Sequence, residues 1–247
     1  MSKAATVNTR PATYADLVPA AKCLARAFKD EPMHGDVLHP HRKEYPDDMY
    51  LFFLHNLRIQ YVSGPDVHLH VSTTTDSTGK EVITGLSQWR RLRAKPHQSL
   101  YTATMVKAMQ RYNSLESLIY PNRALDPSKV SILGEMWPFM AHHWTGTRAE
   151  VWDLSTLGVD PAYSKQGIGR ELVKWGFEQA KREGVGCSVI SSEGNERFYE
   201  RCGFDVVVGT AGEFGGEANP GREIAGGTIH FWDNGVEPKG VKKYGEV

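Results

Sequence analysis

The chain has 247 residues, 40% of them hydrophobic and six of them Trp, enough to pack one large domain or two small ones. Lys+Arg and Asp+Glu both number 29, so the formal net charge is zero, and the basic excess of a dedicated nucleic-acid or polyanion binder is missing. Cys23, Cys187 and Cys202 form neither a disulfide framework nor a C-x-x-C zinc pair, Met1–Arg10 lacks the apolar core of a signal peptide, and no run of eighteen apolar residues would span a membrane. A reducing, cytoplasmic setting is the expectation.

Residues 6–10 read as a short first strand before Pro11. Tyr14–Phe28 reads as a helix, because Leu17, Ala20, Ala21, Leu24, Ala25 and Phe28 recur at spacings of three and four. Asp30-Glu31-Pro32 ends it, and a His-rich connection leads to a second helix over Tyr50–Val62. Val67, Leu69 and Val71 alternate with Asp66, His68 and His70, the pattern of a half-buried strand with its histidines on the polar face. Thr75–Lys80 makes a hairpin turn into a returning strand, Val82–Trp89.

Residues 91–148 read as an insertion, apolar-periodic around Leu100–Ile119 and Val130–Trp144, with Pro121 and Pro127 between. No Gly/Ser-rich linker bounds it, so it is expected as helices packed beside the sheet of a single domain, 1–247. Ala149–Val159 is the central strand and Ile168–Arg182 the central helix, with Ile168, Leu172, Val173, Gly176 and Ala180 on one face. A short apolar run, Cys187–Ser191, a short helix, Asn195–Cys202, and a strand, Asp205–Val208, follow. Gly209–Gly227 is a glycine-rich loop, Thr228–Trp232 the last strand, and 233–247 a loose tail.

The densest chemistry lies between the central strand and helix. Strand Asp153–Val159 runs into Ser164-Lys165-Gln166-Gly167-Ile168-Gly169-Arg170, where the glycines permit tight backbone turns. The first N–H groups of the helix have no partner within it, and its dipole favours negative charge there, so the loop suits a pyrophosphate. It is not the dinucleotide fingerprint, whose third glycine position holds Leu172. Nor is it a nucleotide P-loop, since Arg170-Glu171 follows Gly169 where Lys-Ser/Thr belongs.

Leu157-x-Val159-x-Pro161, Gln166-Gly167-Ile168-Gly169 and Phe198-Tyr199-Glu200-Arg201-x-Gly203-Phe204, with their mutual spacing, resemble the GNAT superfamily of acetyl-CoA-dependent N-acetyltransferases over about residues 150–208. The resemblance implies an α/β fold with a mixed, mostly antiparallel central sheet flanked by helices. Its cofactor-binding core would span 149–208, with the helical insertion around 91–148. It implies that the backbone of Leu157, Gly158 and Val159 pairs with the pantetheine of acetyl-CoA, an N–H near Val159 steadying the oxyanion. Ser164, Lys165, Gln166, Gly167, Ile168, Gly169 and Arg170 would hold the pyrophosphate. Two positions depart from the family. Ser164 stands where an Arg or Gln is usual, leaving the charge to Lys165 or Arg170. Ser192 stands where many members carry Asn, and offers one hydroxyl.

The resemblance also implies that Tyr199 lies beside the cofactor sulfur. A tyrosine near pKa ~10 is a weaker acid than a thiol near ~8.5, so transfer of its proton is uphill by about 2 kcal/mol, and a hydrogen bond to the developing thiolate is the better role. An amine with a pKa near ~10.4 must also lose a proton before it attacks. Alternation places Asp153, Ser155, Leu157 and Val159 on one strand face. Asp153 also lies fourteen residues before Gly167, the position of the catalytic glutamate in the superfamily's histone acetyltransferases. Asp153 is therefore the expected base, with Glu150 and Glu135 behind it.

Adjacent His142 and His143 cannot share a site on a helix or strand, and no H-E-x-x-H is present, so no metal is expected. Trp137, Phe139, Met140, His142 and Trp144 are either core or the lining of an acceptor pocket. The expected activity is direct transfer of acetyl to a primary amine, a small molecule rather than a protein, without nucleic-acid or membrane partners. The alternatives are a protein or peptide N-acetyltransferase and a CoA-binding regulatory module without turnover. Nothing in the sequence specifies an oligomeric state.

Overall fold

The computed structural model describes residues 7–95 and 99–246. Thr6 of the first expected strand, 96–98 of the expected insertion and Val247 of the expected tail lie outside the described residues. The strands are β1 (Asn8–Pro11), β2 (Val67–Thr75), β3 (Glu81–Leu92), β4 (Val151–Val159), β5 (Gly186–Ser191), β6 (Val206–Thr210) and β7 (Thr228–Trp232). The α-helices are α1 (Leu17–Ala27), α2 (Tyr50–Tyr61), α3 (Leu100–Ile119), α4 (Ile132–Met140), α5 (Ile168–Glu183) and α6 (Glu196–Cys202). The strands form one open sheet in the order β1-β2-β3-β4-β5-β7-β6. Only β4 and β5 run parallel; every other pair is antiparallel.

Helices cover both faces. α1 and α2 bury Leu17, Leu24, Phe53, Leu54 and Leu57 against Leu69, Val71, Ile83 and Leu86 of the first hairpin. On the other face α5 buries Val173, Phe177 and Ala180 against Trp89, Trp152 and Leu154. The helix stops at Gly184, in the left-handed region at φ 68°, whose N–H caps Ala180 and Lys181 carbonyls. A third cluster joins Ile132, Met136 and Met140 of α4 to Ile229 and Phe231 of β7.

Four expectations change. First, β2 is not half-buried: Val71 and Ser72 are both fully enclosed, and His70 lies 4.3 Å, ring to ring, from Trp175 of α5. Helices on both sides leave no polar face on this strand. Second, α3 packs on α2 rather than on the sheet. Arg58 donates to Glu116, and Asn113 donates to the carbonyl of His55, while Leu115, Leu118 and Ile119 face outward. Third, the tail is tied down. The Lys239 and Lys242 amides donate to the Thr147 and Thr145 hydroxyls, and Tyr244 stacks on Phe214 at 4.8 Å. Fourth, His142 and His143 sit in a 3-10 turn that brings their rings within 3.9 Å of each other. Neither helical nor strand spacing applies there.

The β3–β4 ladder carries a bulge. Gln88 pairs with Thr156 but Trp89 pairs with Leu154, so Ser155 is an extra residue. A one-residue slip sends every later side chain to the opposite face.

α5 can approach the sheet only because Gly176 has no side chain. A Cβ there would lie inside the indole of Trp89, a ring with no exposure of its own. Gly176→Ala is expected to lower stability by about 1–3 kcal/mol through overpacking, read by chemical denaturation. Adding Trp89→Phe should recover part of that loss, because the clash is with the indole.

Candidate active site

β4 and β5 pair over only Val151–Leu154 and Gly186–Val189. Beyond Leu154 the two strands part, and β4 continues to Val159 with β3 alone on its other side. The backbone edge from Ser155 to Val159 therefore faces open space. That space is a cleft of about 1690 Å³, bounded by the β4 edge, the loop before α5, Ile190–Asn195 and α6.

The loop has the geometry of an anion cradle. Asp160 caps the turn after β4 by accepting from the Ala162 N–H at 3.1 Å. Lys165 and Gly167 both adopt positive φ, 61° and 83°, and Gly167 is the N-cap of α5. No atom lies within 4 Å of where a Gly167 Cβ would stand. At Gly169 a Cβ would come within 3.0 Å of Phe198, so the glycine lets α6 pack against the start of α5. The N–H groups of that first turn open on the cleft. Leu157, Gly158, Val159, Ser164, Lys165, Gln166, Gly167, Ile168, Gly169, Arg170, Ser192 and Tyr199 all border this one cleft. Arg197 and Arg201 of α6 border it too, cations the loop motif alone did not reveal.

Tyr199 sits in α6 with little exposure. Burial pushes its phenol well above the ordinary tyrosine range, so it stays protonated and able to donate. Full proton release to a thiolate is steeper still than in solution, which leaves hydrogen-bond donation as the chemistry available to it.

A second cavity, of about 660 Å³, opens on the other side of the sheet edge. Its apolar wall includes Met33, Phe52, Trp137, Met140 and Trp144. Phe139 and His142, expected with these, turn elsewhere: Phe139 packs over Gly215, and His142 meets Phe214 and Tyr244. Glu31, His34, Leu154, Ser155, Thr156, Ile190 and Ser192 border both cavities and mark where they meet.

Asp153 does not share a face with Leu157 and Val159, because the Ser155 bulge lies between them. Gly158 faces α1, where a Cβ would meet Leu24, and Val159 reaches toward Gly169 beside α5. Asp153 borders the second cavity and not the cofactor cleft. Its two oxygens accept from the Ser155 and Ser188 hydroxyls, each at 2.7 Å. Burial raises its carboxyl, with those hydroxyls and the Arg90 charge opposing. Glu150 is held in an ion pair with Arg91 at 2.7 Å, and Glu135 accepts from Ser131 on the surface. Neither borders either of these two cavities.

The sequence reading passed over Glu31 and His34. Glu31 accepts from the His34 N–H at 2.7 Å, and the His34 ring Nδ1 lies 2.9 Å from the same carboxylate. Burial alone would raise Glu31, but the hydrogen bonds and charge of His34 outweigh it and its carboxyl falls below the usual range. An ionised carboxylate has no proton to give, so Nδ1 must be the donor and Nε2 the open position. Among the described residues Nε2 has no hydrogen-bond partner. Phe28 and Phe53, stacked on each other, both pack against the ring, with centroids at 4.7 and 5.6 Å. Asp30-Glu31-Pro32 does follow the end of the first helix, at Ala27, but it has a second role. It opens a π-helical turn, Pro32–Val37, that swings His34 back over its own cap.

An open mixed sheet parted at one parallel pair, with a helix start facing the gap, can take an extended ligand along the free strand edge and an anion at the helix start. Residues 133–206 match the family model described as the acetyltransferase (GNAT) domain. The fold is similar to a crystal structure described as histone acetyltransferase HPA2 and related acetyltransferase from Corynebacterium glutamicum. That likeness has 18% identity and a TM-score of 0.55, over 94% of this chain and 98% of that one. Two others are an arylalkylamine N-acetyltransferase 2 from Aedes aegypti and a PaiA N-acetyltransferase from Thermoplasma acidophilum in complex with coenzyme A. The first has 11% identity and a TM-score of 0.48, over 93% of this chain and 99% of that one. The second has 13% identity and a TM-score of 0.46, over 92% and 99%. The chain thus shares the fold of the Corynebacterium structure, and residues 133–206 are similar to the GNAT acetyltransferase domain; the activity these matches indicate is acetyl-CoA-dependent acyl transfer. No described helix is long and apolar enough to cross a membrane.

If the first turn of α5 holds the pyrophosphate, Gly169→Val should raise the Kd for CoA at least tenfold, by calorimetric titration. Gly167→Ala, strained at φ 83° yet with open space for its methyl, should weaken CoA less while leaving α6 undisturbed. Near-normal affinity in both folded variants would remove the loop from the cofactor site.

Proposed function

We propose that the protein is an N-acetyltransferase that moves acetyl from acetyl-CoA to the primary amine of a small, largely apolar molecule. The single observation carrying this is the meeting of the cofactor cleft with a separate, mostly apolar cavity of about 660 Å³ at Glu31, His34, Ser155, Thr156 and Ser192. A cavity of that size suits a compact acceptor better than an extended peptide. The Corynebacterium likeness carries the name of a histone enzyme, so a protein acceptor is the second reading; the compact, mostly apolar cavity speaks for the first.

The cofactor enters along the free β4 edge. The Leu157, Gly158 and Val159 backbone pairs with the pantetheine amides as an added strand would. Lys165 and Arg170, with Arg197 and Arg201 nearby, offset the phosphate charge that Ser164 cannot meet, and the Ser192 hydroxyl reaches the cofactor near the junction. The amine attacks the thioester carbonyl directly. Burial raises the Cys187 thiol well above its ordinary range and raises Cys202 too, so neither is a ready acyl-carrying thiolate. The Val159 N–H steadies the oxyanion, and Tyr199 donates to the departing thiolate. Three unpaired cysteines fit a reducing, cytoplasmic setting.

For the proton, the Glu31–His34 pair has the better geometry. His34 Nε2 takes it, directly or through one water, while Nδ1–H donates to Glu31. Asp153, one cavity wall away and already accepting from two hydroxyls, is the other candidate.

Two measurements test this, both following thiol release with an amine panel. Tyr199→Phe should lower kcat by about ten- to a thousand-fold, the equivalent of ~1.4–4 kcal/mol, and leave CoA affinity nearly unchanged. An unchanged kcat, with chemistry shown to limit it, would make Tyr199 a packing residue. His34→Gln should lower kcat/KM by about a hundredfold near neutral pH, and regain much of it at high pH, where free amine accumulates. If Asp153→Asn shows that behaviour and His34→Gln does not, the base is Asp153. Tight CoA binding without acceptor-dependent release from any amine would leave a regulatory CoA-binding module.

A further inference from the structure

The acceptor cavity is apolar on the α4 side and polar on the β3 and α2 side. Gln88, Arg90 and Leu92 of β3 share the face that lines it, and Gln60 reaches it from α2. Arg90 is the unusual member. Its Nη2 donates to the Gln60 side-chain oxygen at 2.8 Å. Its Nε is buried and has no hydrogen-bond partner among the described residues. A guanidinium presents five N–H donors, and here one has an acceptor from the described protein.

The nearest acid does not fill the gap. Arg90 and Asp153 are direct partners across β3–β4, so both stand on the cavity face. Yet no ion pair joins them among the described residues, and both Asp153 oxygens already accept from Ser155 and Ser188. A half-buried guanidinium in a cavity wall whose enclosed Nε lacks an acceptor is a ready partner for an anion entering that cavity. The planar fork of arginine matches one class of anion best, the carboxylate.

We infer that Arg90, supported by Gln60, is a subsite for a carboxylate carried by the acceptor at the end remote from its amine. The inference rests on the reading of this cavity as the acceptor site. Position sets the spacing. Arg90 lies opposite Asp153 and two β3 residues from Gln88, the partner of Thr156, which borders both cavities. At a strand rise of about 3.3 Å per residue, that puts the subsite roughly 7 Å from the point of acetyl transfer. An α-amino acid is too short to span it. An aryl or alkyl spacer between amine and carboxylate fits the length, and the wall of Phe52, Trp137 and Met140 fits its apolar character.

Two experiments on the full chain test this, one without turnover. In the first, calorimetry measures 4-methylbenzoate, which has the carboxylate and ring but no amine, against 4-methylbenzamide. The benzoate should bind at least tenfold tighter, and Arg90→Met should abolish the difference while leaving CoA affinity and thermal stability unchanged. Gln60→Leu should weaken benzoate binding less. Equal binding of the two probes, or a preference that survives Arg90→Met, overturns the subsite. In the second, kcat/KM is compared for benzylamine, 4-(aminomethyl)benzoate and 1,4-bis(aminomethyl)benzene. The wild type should favour the carboxylate by tenfold or more, and Arg90→Met should lower that value to the benzylamine level while moving benzylamine itself less than threefold. Arg90→Lys should recover part of the preference. Preference for the diamine would hand the remote end to Asp153 and refute the inference. If none of the amines is acetylated but the benzoate binds through Arg90, the acetyl-transfer reading fails and the subsite stands.

Discussion

Everything about this site depends on how far β4 and β5 pair. Four residues of parallel ladder hold them together, from Val151 to Leu154, and then the ladder ends in the middle of the sheet. Unpaired backbone inside a protein is costly, so such a gap persists only if something else satisfies it. Here the unsatisfied edge of β4 faces a cleft wide enough for an extended, amide-bearing ligand. The bulge at Ser155 is what turns the strand at the point of parting. The glycine loop, the start of α5 and the α6 helix are then arranged around the opening, each held by a packing contact: Gly169 against Phe198, Gly176 against Trp89, Gly203 beside Phe177.

The same bulge separates two chemistries. Before it, Val151 and Asp153 look toward α4 and the apolar cavity; after it, Leu157 and Val159 look toward α5 and the cofactor loop. One strand thus borders two cavities on opposite faces, and the residues at the crossing, exposed Ser155 and half-buried Thr156, touch both. The π-helical turn after α1 brings Glu31 and His34 to that crossing from the other side. Without the bulge, a base on β4 would have been the natural solution. With it, the loop contributes the polar pair and the strand contributes backbone.

Periodicity made the sheet and the central helix legible, because α5 buries the very face that spacing picks out: Ile168, Leu172, Val173, Gly176 and Ala180. The glycine loop before α5 was legible as a tight turn for a different reason, since its glycines are required by backbone geometry at Gly167 and by close packing at Gly169. What failed were inferences that carry alternation across a break. Asp153 and Val159 are six apart and would share a face in any regular strand, but a single unpaired residue between them is invisible in composition. His70 and Ser72 look solvated by pattern, and are buried because a second layer of helix lies on them. The pair Glu31 and His34 went unseen because three-residue spacing in a loop has no default meaning; only the turn that closes on itself gives it one.

The proton problem also changes once the cavities are distinguished. An ammonium group moving into a wall of Met33, Phe52 and Trp144 loses solvation, and burial disfavours the charged form of an amine. The cavity itself therefore pulls the acceptor toward the neutral state that attack requires. The base need not match an amine of pKa ~10.4 in water; it need only receive the proton that desolvation has already loosened. A histidine held by an ionised carboxylate suits that task, because Glu31 stabilises the imidazolium as it forms and then returns to its resting hydrogen bonds. Cationic side chains gather at the larger cleft, at Lys165, Arg170, Arg197 and Arg201, where an anionic ligand would be met. The second cavity carries few charges, and among the described residues the Nε of Arg90 is buried without a partner.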